Sequence, residues 1–169
     1  IQPLVNHKNS IGIPTTAVGV STIGNNATAI RNYIQNFYNT HDLAFVLLVG
    51  DAAEVATPTA VSGSSDPTYS LTAGSDNYPD IIVGRFSAQS AAQVDTQVLR
   101  TIEYELMPAT EQAWFKRGVG IGSDEGPGDD GETDRQHIAN IRTDLLNYGY
   151  TLVDGFYGTS ATATQVANA

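Results

Sequence analysis

The sequence holds no cysteine, one tryptophan and one methionine. Without cysteine the chain forms no disulfide, no thiolate metal site and no thiol nucleophile of its own. Lysine is scarce too. Lys8 and Lys116 are the only two, and lysine plus arginine total 8 against 18 acids, a formal net charge of −10. Proteins hold a phosphate backbone by neutralising it and releasing its counterions, so nucleic acid is not an expected partner, nor is an anionic membrane surface. No run of about 18 apolar residues is present, so no membrane-spanning helix is predicted. A phosphate-binding GxxxxGK[ST] loop is missing. Gly118, Gly120 and Gly122 make GxGxG rather than the dinucleotide GxGxxG, and acids follow where a pyrophosphate would need donors.

What is present is the material of one globular α/β domain. At 169 residues the chain fits a single domain over 1–169, able to bury roughly 70% of its unfolded surface. No signal sequence is visible after Ile1, and the chain reads as a piece processed or excised from something longer. PLVNHKNSIG predicts a short helix stopped at Gly12, and β-branched Pro14 to Val20 a strand. Asn25 or Asn26 caps a helix to about Thr40, with Ile30, Ile34, Phe37 and Tyr38 on one face. Leu43 to Asp51 is a continuous apolar run, the pattern of a parallel strand covered on both faces. Residues 52–75 read as a long surface excursion with short extended pieces around Tyr69. Pro79 to Phe86 is a strand, and Ser87 to Met107 a helix capped by Ser87, buried along Val94, Val98, Ile102 and Leu106, and ended by Pro108. A turn bearing Trp114, a strand at 117–123, a helix from about Glu132 to Asn147, a strand from Tyr150 to Tyr157 and the start of one more helix complete the chain. The alternation predicts a mostly parallel sheet with helices on both faces, a three-layer α/β fold in which ligands collect at the carboxyl ends of the strands.

Two acidic clusters follow predicted strands. Between positions 124 and 134 stand Asp124, Glu125, Asp129, Asp130, Glu132 and Asp134, six of the 18 acids, with no base among them. Like charges this close repel unless a cation or basic ligand compensates them, and Gly126, Gly128 and Gly131 leave the backbone pliable enough to wrap one. Glu132 and Asp134 have a plainer reading as helix-dipole partners. In GSDNYPD, Asp76, Tyr78 and Asp80 alternate, so that two carboxylates and a backbone carbonyl can converge. With Asp51 from the neighbouring strand end they would make an all-oxygen pocket suited to calcium, although Asp and Asn are also ordinary turn formers. His7, His41 and His137 stand far apart and read as surface or packing residues.

These motifs together resemble the catalytic domain of gingipain-type cysteine peptidases, a caspase-like family. The matching stretches are GIPTTAVGVSTIG, IRNYIQNFYNTHDLAFVLLVGD, SDPTYSLTAGSDNYPDIIVGRFSAQS, TIEYEL and IGSDEGPGDDGETDRQH, covering most of residues 3–157. The resemblance implies the N-terminal half of such a catalytic domain, from a secreted or cell-surface bacterial enzyme. The family's catalytic histidine sits in a GHG-like motif with the cysteine after it; neither is in this sequence, so the chain alone is expected to be inactive. Residue by residue, Glu125 matches the acid that orients the catalytic histidine. Asp134 matches the substrate-pocket carboxylate of arginine-specific members, which implies a basic residue before the cut. Asp51, Asp76, Tyr78 (by its carbonyl) and Asp80 match a structural calcium site. Expected partners are a peptide or protein substrate and either the missing C-terminal half or a second copy of the chain. A non-catalytic, calcium-binding α/β module of caspase-like fold is the alternative.

Overall fold

The computed structural model describes residues 1–60, 63–107, 113–128 and 131–169. Pro108, expected to end a helix, and Asp129 and Asp130 of the acidic loop lie outside the described residues. The chain divides into two compact units, Ile1–Leu106 and Met107–Ala169. Each is mixed α/β, built on a pair of parallel strands. Among the described residues no helix is long and apolar enough to cross a membrane.

The first unit runs α1 (Gln2–Ser10), α2 (Val20–Ile23), α3 (Ala27–Thr40), β1 (Phe45–Val49), β2 (Thr59–Ala60), β3 (Gly63–Ser64), β4 (Ile82–Phe86) and α4 (Ala91–Leu106). Asn26 caps α3 by accepting from the Ala29 N–H, which satisfies one of the helix's orphan donors. The apolar stripe of α3 then presents Ile30 and Ile34 to Leu48, Val55, Tyr69 and Ile81, the buried cluster of this unit. β1 and β4 pair in parallel, Phe45 opposite Ile82 and Leu47 opposite Gly84. Strand alternation turns Val46 and Leu48 toward α3 and Phe45, Leu47 and Ile82 to the other face. Those three are 63%, 40% and 64% exposed, so the covering on both faces that the apolar run predicts is not found at these positions.

Other expectations differ from the structure as well, and Leu106, expected on the buried face of α4, is 68% exposed. Pro14 to Gly19 forms no strand and Val20 opens α2; at Thr15 the backbone bonds go to a side chain, the Asn9 amide donating to the Thr15 carbonyl at 2.9 Å and accepting from the Thr15 N–H at 2.9 Å. Asn9 thus satisfies the groups that a neighbouring strand would have paired. Tyr69 lies in a single 3-10 turn, Asp66–Ser70, rather than an extended piece. It is the most buried aromatic of the unit at 1% exposure, its hydroxyl donating to the Ala56 carbonyl at 2.7 Å. Ser87 does not cap α4, which starts four residues later. Its hydroxyl is drawn to the Asp51 carboxylate instead, and the Ser90 hydroxyl accepts from the Gln93 N–H.

The second unit runs through a 3-10 turn (Ala113–Lys116), β5 (Arg117–Gly122), α5 (Asp134–Tyr148), β6 (Leu152–Tyr157) and α6 (Ala163–Asn168). It is a strand–helix–strand unit whose strands pair in parallel, Gly118 opposite Val153 and Gly122 opposite Tyr157. Thr133 opens α5 with a reciprocal capping box to Gln136, and Gly149 closes it at φ +109°, in the left-handed region.

Candidate functional site

The glycines of β5 position the site. A Cβ on Gly120 would stand 2.6 Å from the Ile138 Cγ2, and one on Gly122 would stand 3.2 Å from both the Asp134 carbonyl oxygen and the Ile138 Cγ1. Side chains at these positions would lift α5 off the strand. Their absence lets the first turn of the helix sit directly over the carboxyl end of β5. The GxGxG pattern is therefore a packing device, and it delivers Asp134, the first residue of the helix, to the strand end.

There the backbone doubles back. The Asp134 N–H donates to the Glu125 carbonyl at 3.1 Å, while the Glu125 N–H donates to the Ser123 hydroxyl oxygen at 2.9 Å. That hydroxyl donates in turn to the Asp134 Oδ2 at 2.5 Å. Gly126 makes the return possible: it holds φ +125°, and a Cβ there would stand 2.6 Å from the Thr133 Cα. Glu125 and Asp134, nine residues apart in sequence, are thus neighbours joined through one serine. Both are exposed, and among the described residues the Glu125 carboxylate has no hydrogen-bond partner. Asp134 lines an open cavity of about 430 Å³ together with Ile121, Gly122, Ser123, Glu132, His137 and Ile138.

The rest of the acidic loop is compensated from nearby. Arg135, one residue past the run of acids, folds back so that its Nη2 donates to the Asp124 Oδ1 at 2.6 Å, its guanidinium lying 4.8 Å over the Tyr157 ring. Asp124 also covers Gly158, where any Cβ would overlap its carboxylate. Glu132 is bonded by the His137 Nδ1 at 3.1 Å and the Asn140 amide at 2.8 Å. Charge counting over the loop finds none of these partners, because they sit on the helix face that the capped first turn brings round. His137 keeps its surface position with 56% of its side chain exposed, but it borders the cavity beside Asp134.

The other expected site is not gathered. Among the described residues no group of three or more Asp, Glu, His or Cys side chains could hold a metal ion, so Asp51, Asp76 and Asp80 do not close on one point. Each carboxylate has another partner instead, Asp76 and Asp80 within their own loop and Asp51 across to the end of β4. The Asp80 Oδ2 accepts the N–H groups of Ala73 at 2.7 Å and Thr72 at 2.8 Å, which hold its carboxyl below the usual range. Asp51 accepts from Ser87, and that bond lowers its pKa most. Asp76 accepts from the Tyr78 N–H at 2.9 Å in a local turn, and Tyr78 itself is 79% exposed. A residue that the spacing does not single out dominates this end of the sheet. Arg85 on β4 grips both oxygens of Asp66 at 2.7 Å and donates to the carbonyls of Gly50 at 2.7 Å and Val55 at 3.0 Å.

The sequence profile of peptidase family C25 matches residues 1–169. Gingipain R2 of Porphyromonas gingivalis is 34% identical over 175 residues, which take in 100% of this chain and 24% of that protein. Gingipain R1 of the same organism is also 34% identical, matched over 10% of its length in one form. The chain therefore spans a quarter or less of these two relatives. Among solved structures, the crystal structure of the Arg-specific cysteine proteinase gingipain R superposes with a TM-score of 0.89 at 33% identity, over 98% of this chain and 40% of that one. The complex of Porphyromonas gingivalis RgpB pro- and mature domains gives 0.90 at 33% identity, with the same coverage.

Proposed function

The chain belongs to peptidase family C25, and on that premise we propose that it is the part of a cysteine endopeptidase that selects a basic residue, arginine first, before the scissile bond. The observation that carries the proposal is Asp134: a carboxylate fixed at the mouth of an open cavity at the carboxyl end of a parallel strand. A carboxylate so held can receive a guanidinium through two parallel N–H···O bonds. The arginine specificity stated for the solved relative agrees with this assignment.

Glu125 takes the second role. Its main chain is tied on both sides while its carboxylate has no partner among the described residues, which suits an acid that must accept from the ring N–H of a histidine and hold it in one tautomer. That histidine would help the thiolate form and then protonate the leaving amine. The chain has no cysteine, so the nucleophile comes from residues other than these. The exposed Phe45, Leu47 and Ile82 support a covering partner, either the remainder of the catalytic domain or another copy of the chain. Secretion or display at a bacterial cell surface accords with a peptidase of this kind. Among the described residues no group of three or more Asp, Glu, His or Cys side chains is gathered for calcium.

The test uses the whole protein that carries this chain, assayed on peptides that differ only in arginine, lysine or alanine before the cut. Arginine-selective cleavage that collapses in Asp134→Ala is expected. Cleavage indifferent to that residue would remove the proposal.

A further inference from the structure

We propose that Ser123 is the positioning residue that couples the specificity acid to the histidine-orienting acid, and that the preference for arginine over lysine depends on its hydroxyl. This rests on the roles proposed above for Asp134 and Glu125. A serine hydroxyl has one hydrogen and lone pairs to accept with. At position 123 the accepting side is taken by the Glu125 N–H at 2.9 Å, and the hydrogen goes to the Asp134 Oδ2 at 2.5 Å. Turning the hydroxyl would break a bond to one acid or the other, so the pair of bonds has a single arrangement. The Asp134 N–H to Glu125 carbonyl bond at 3.1 Å closes the same ring through the backbone.

The ring fixes a plane as well as a place. Asp134 is the first residue of α5, and its backbone is seated by the close approach of the helix to Gly122. What the helix leaves undetermined is the rotation of the carboxylate. The bond from Ser123 supplies it by tethering Oδ2, while Oδ1 of this cavity-lining residue has no bond to Ser123. A guanidinium is a planar fork that needs both oxygens in one plane, whereas an ammonium is a compact point charge that bonds from any side. Freeing the carboxylate to rotate therefore penalises arginine more than lysine. The other arm acts on catalysis: the Glu125 N–H donates to the same Ser123 hydroxyl, so loss of that hydroxyl loosens the acid that holds the histidine.

The experiment is kinetic and uses the whole enzyme. Ser123→Ala is expected to lower kcat/KM on arginyl peptides about tenfold, the scale of one hydrogen bond to a charged group, and to lower it less on lysyl peptides. Ser123→Thr keeps a hydroxyl and is expected to restore the arginine-to-lysine ratio. In an Asp134→Ala background, Ser123→Ala should leave that ratio where Asp134→Ala alone puts it. Equal losses on both substrates, or losses that simply add to those of Asp134→Ala, overturn the proposal and leave Ser123 a structural role. Unfolding midpoints of each variant separate misfolding from mispositioning, and Ser123→Thr carries the test if the alanine variant does not fold. An enzyme that depends on Asp134 but ignores Ser123→Ala sinks this proposal alone. One in which Asp134→Ala leaves arginine cleavage intact sinks the function proposed above, and this inference with it.

Discussion

The two parallel strand pairs end in carboxylates that are handled in opposite ways. Beyond β1 and β4, Asp66 is clasped by Arg85, with 27% and 12% of the two side chains exposed, and Arg85 spends its remaining donor on two backbone carbonyls. Beyond β5, the Asp124–Arg135 pair is 53% and 54% exposed, and Glu125 and Asp134 are held mainly by main-chain bonds and one hydroxyl. The first arrangement commits both carboxylate oxygens and every guanidinium nitrogen to partners within the unit. The second leaves the Glu125 carboxylate without a hydrogen-bond partner among the described residues and sets Asp134 in the lining of an open cavity. Counting acids does not separate the two ends; asking which oxygens are already taken does.

The contrast can be broken or sharpened in order of expected effect. Asp134→Ala should cost the whole enzyme about 100-fold in kcat/KM on arginyl peptides, the scale of a bidentate charged bond, with little change in the unfolding midpoint. A large loss of stability instead would place Asp134 with the closed type of strand end. Arg85→Met should do the reverse, lowering unfolding stability by about 2 kcal/mol, below the usual value for breaking a buried pair because this one is partly solvated. It also has a pH signature. Arg85 first, by its hydrogen bonds, holds the Asp66 pKa below the ordinary value. Stability from that pair is complete above the unfolded carboxylate range, near about pH 4, and is lost as pH falls through the lower folded value. Unfolding curves for Arg85→Met should therefore show a flatter acid limb. A limb as steep as that of the unaltered chain would exclude Asp66 as its source.

Smaller again is Gly120→Ala. Its Cβ would press on Ile138, and a cost of about 1 kcal/mol is expected, with a loss of arginine preference as the start of α5 shifts. Lost stability with unchanged specificity would mean that the helix gives way without moving Asp134. The smallest effect is expected from chelation. With no gathered ligand set, removal of calcium should leave the unfolding midpoint of this segment where it was. A fall of several degrees would show that Asp51, Asp76 and Asp80 do close around a cation.

Much of this was legible in the residues. The apolar stripe of α3, its Asn26 cap, the parallel runs and Gly149 as a helix stop are local signals, and each element lies where its own residues put it. The resemblance marked Glu125 and Asp134, and the structure sets the two side by side. What the sequence conceals is side-chain competition for backbone bonds. Asn9 replaced a strand partner for Thr15, and Ser87 left its capping place for Asp51. Nothing in a strand pattern announces that Arg85 points to four acceptors at once. Ser123 looks like one more small residue after a glycine run until the helix that starts eleven positions later comes back to meet it.

Arg85 has one more consequence, in time rather than in space. Its partners lie 19, 30 and 35 residues away along the chain, so its four bonds can close only when three separate segments have arrived. Contacts that wait for so much chain ordering belong late in assembly, after the loop entropy of each segment has been lost. A guanidinium placed this way does little to speed folding. It acts as a latch on the finished unit, and its loss should appear chiefly as faster unfolding.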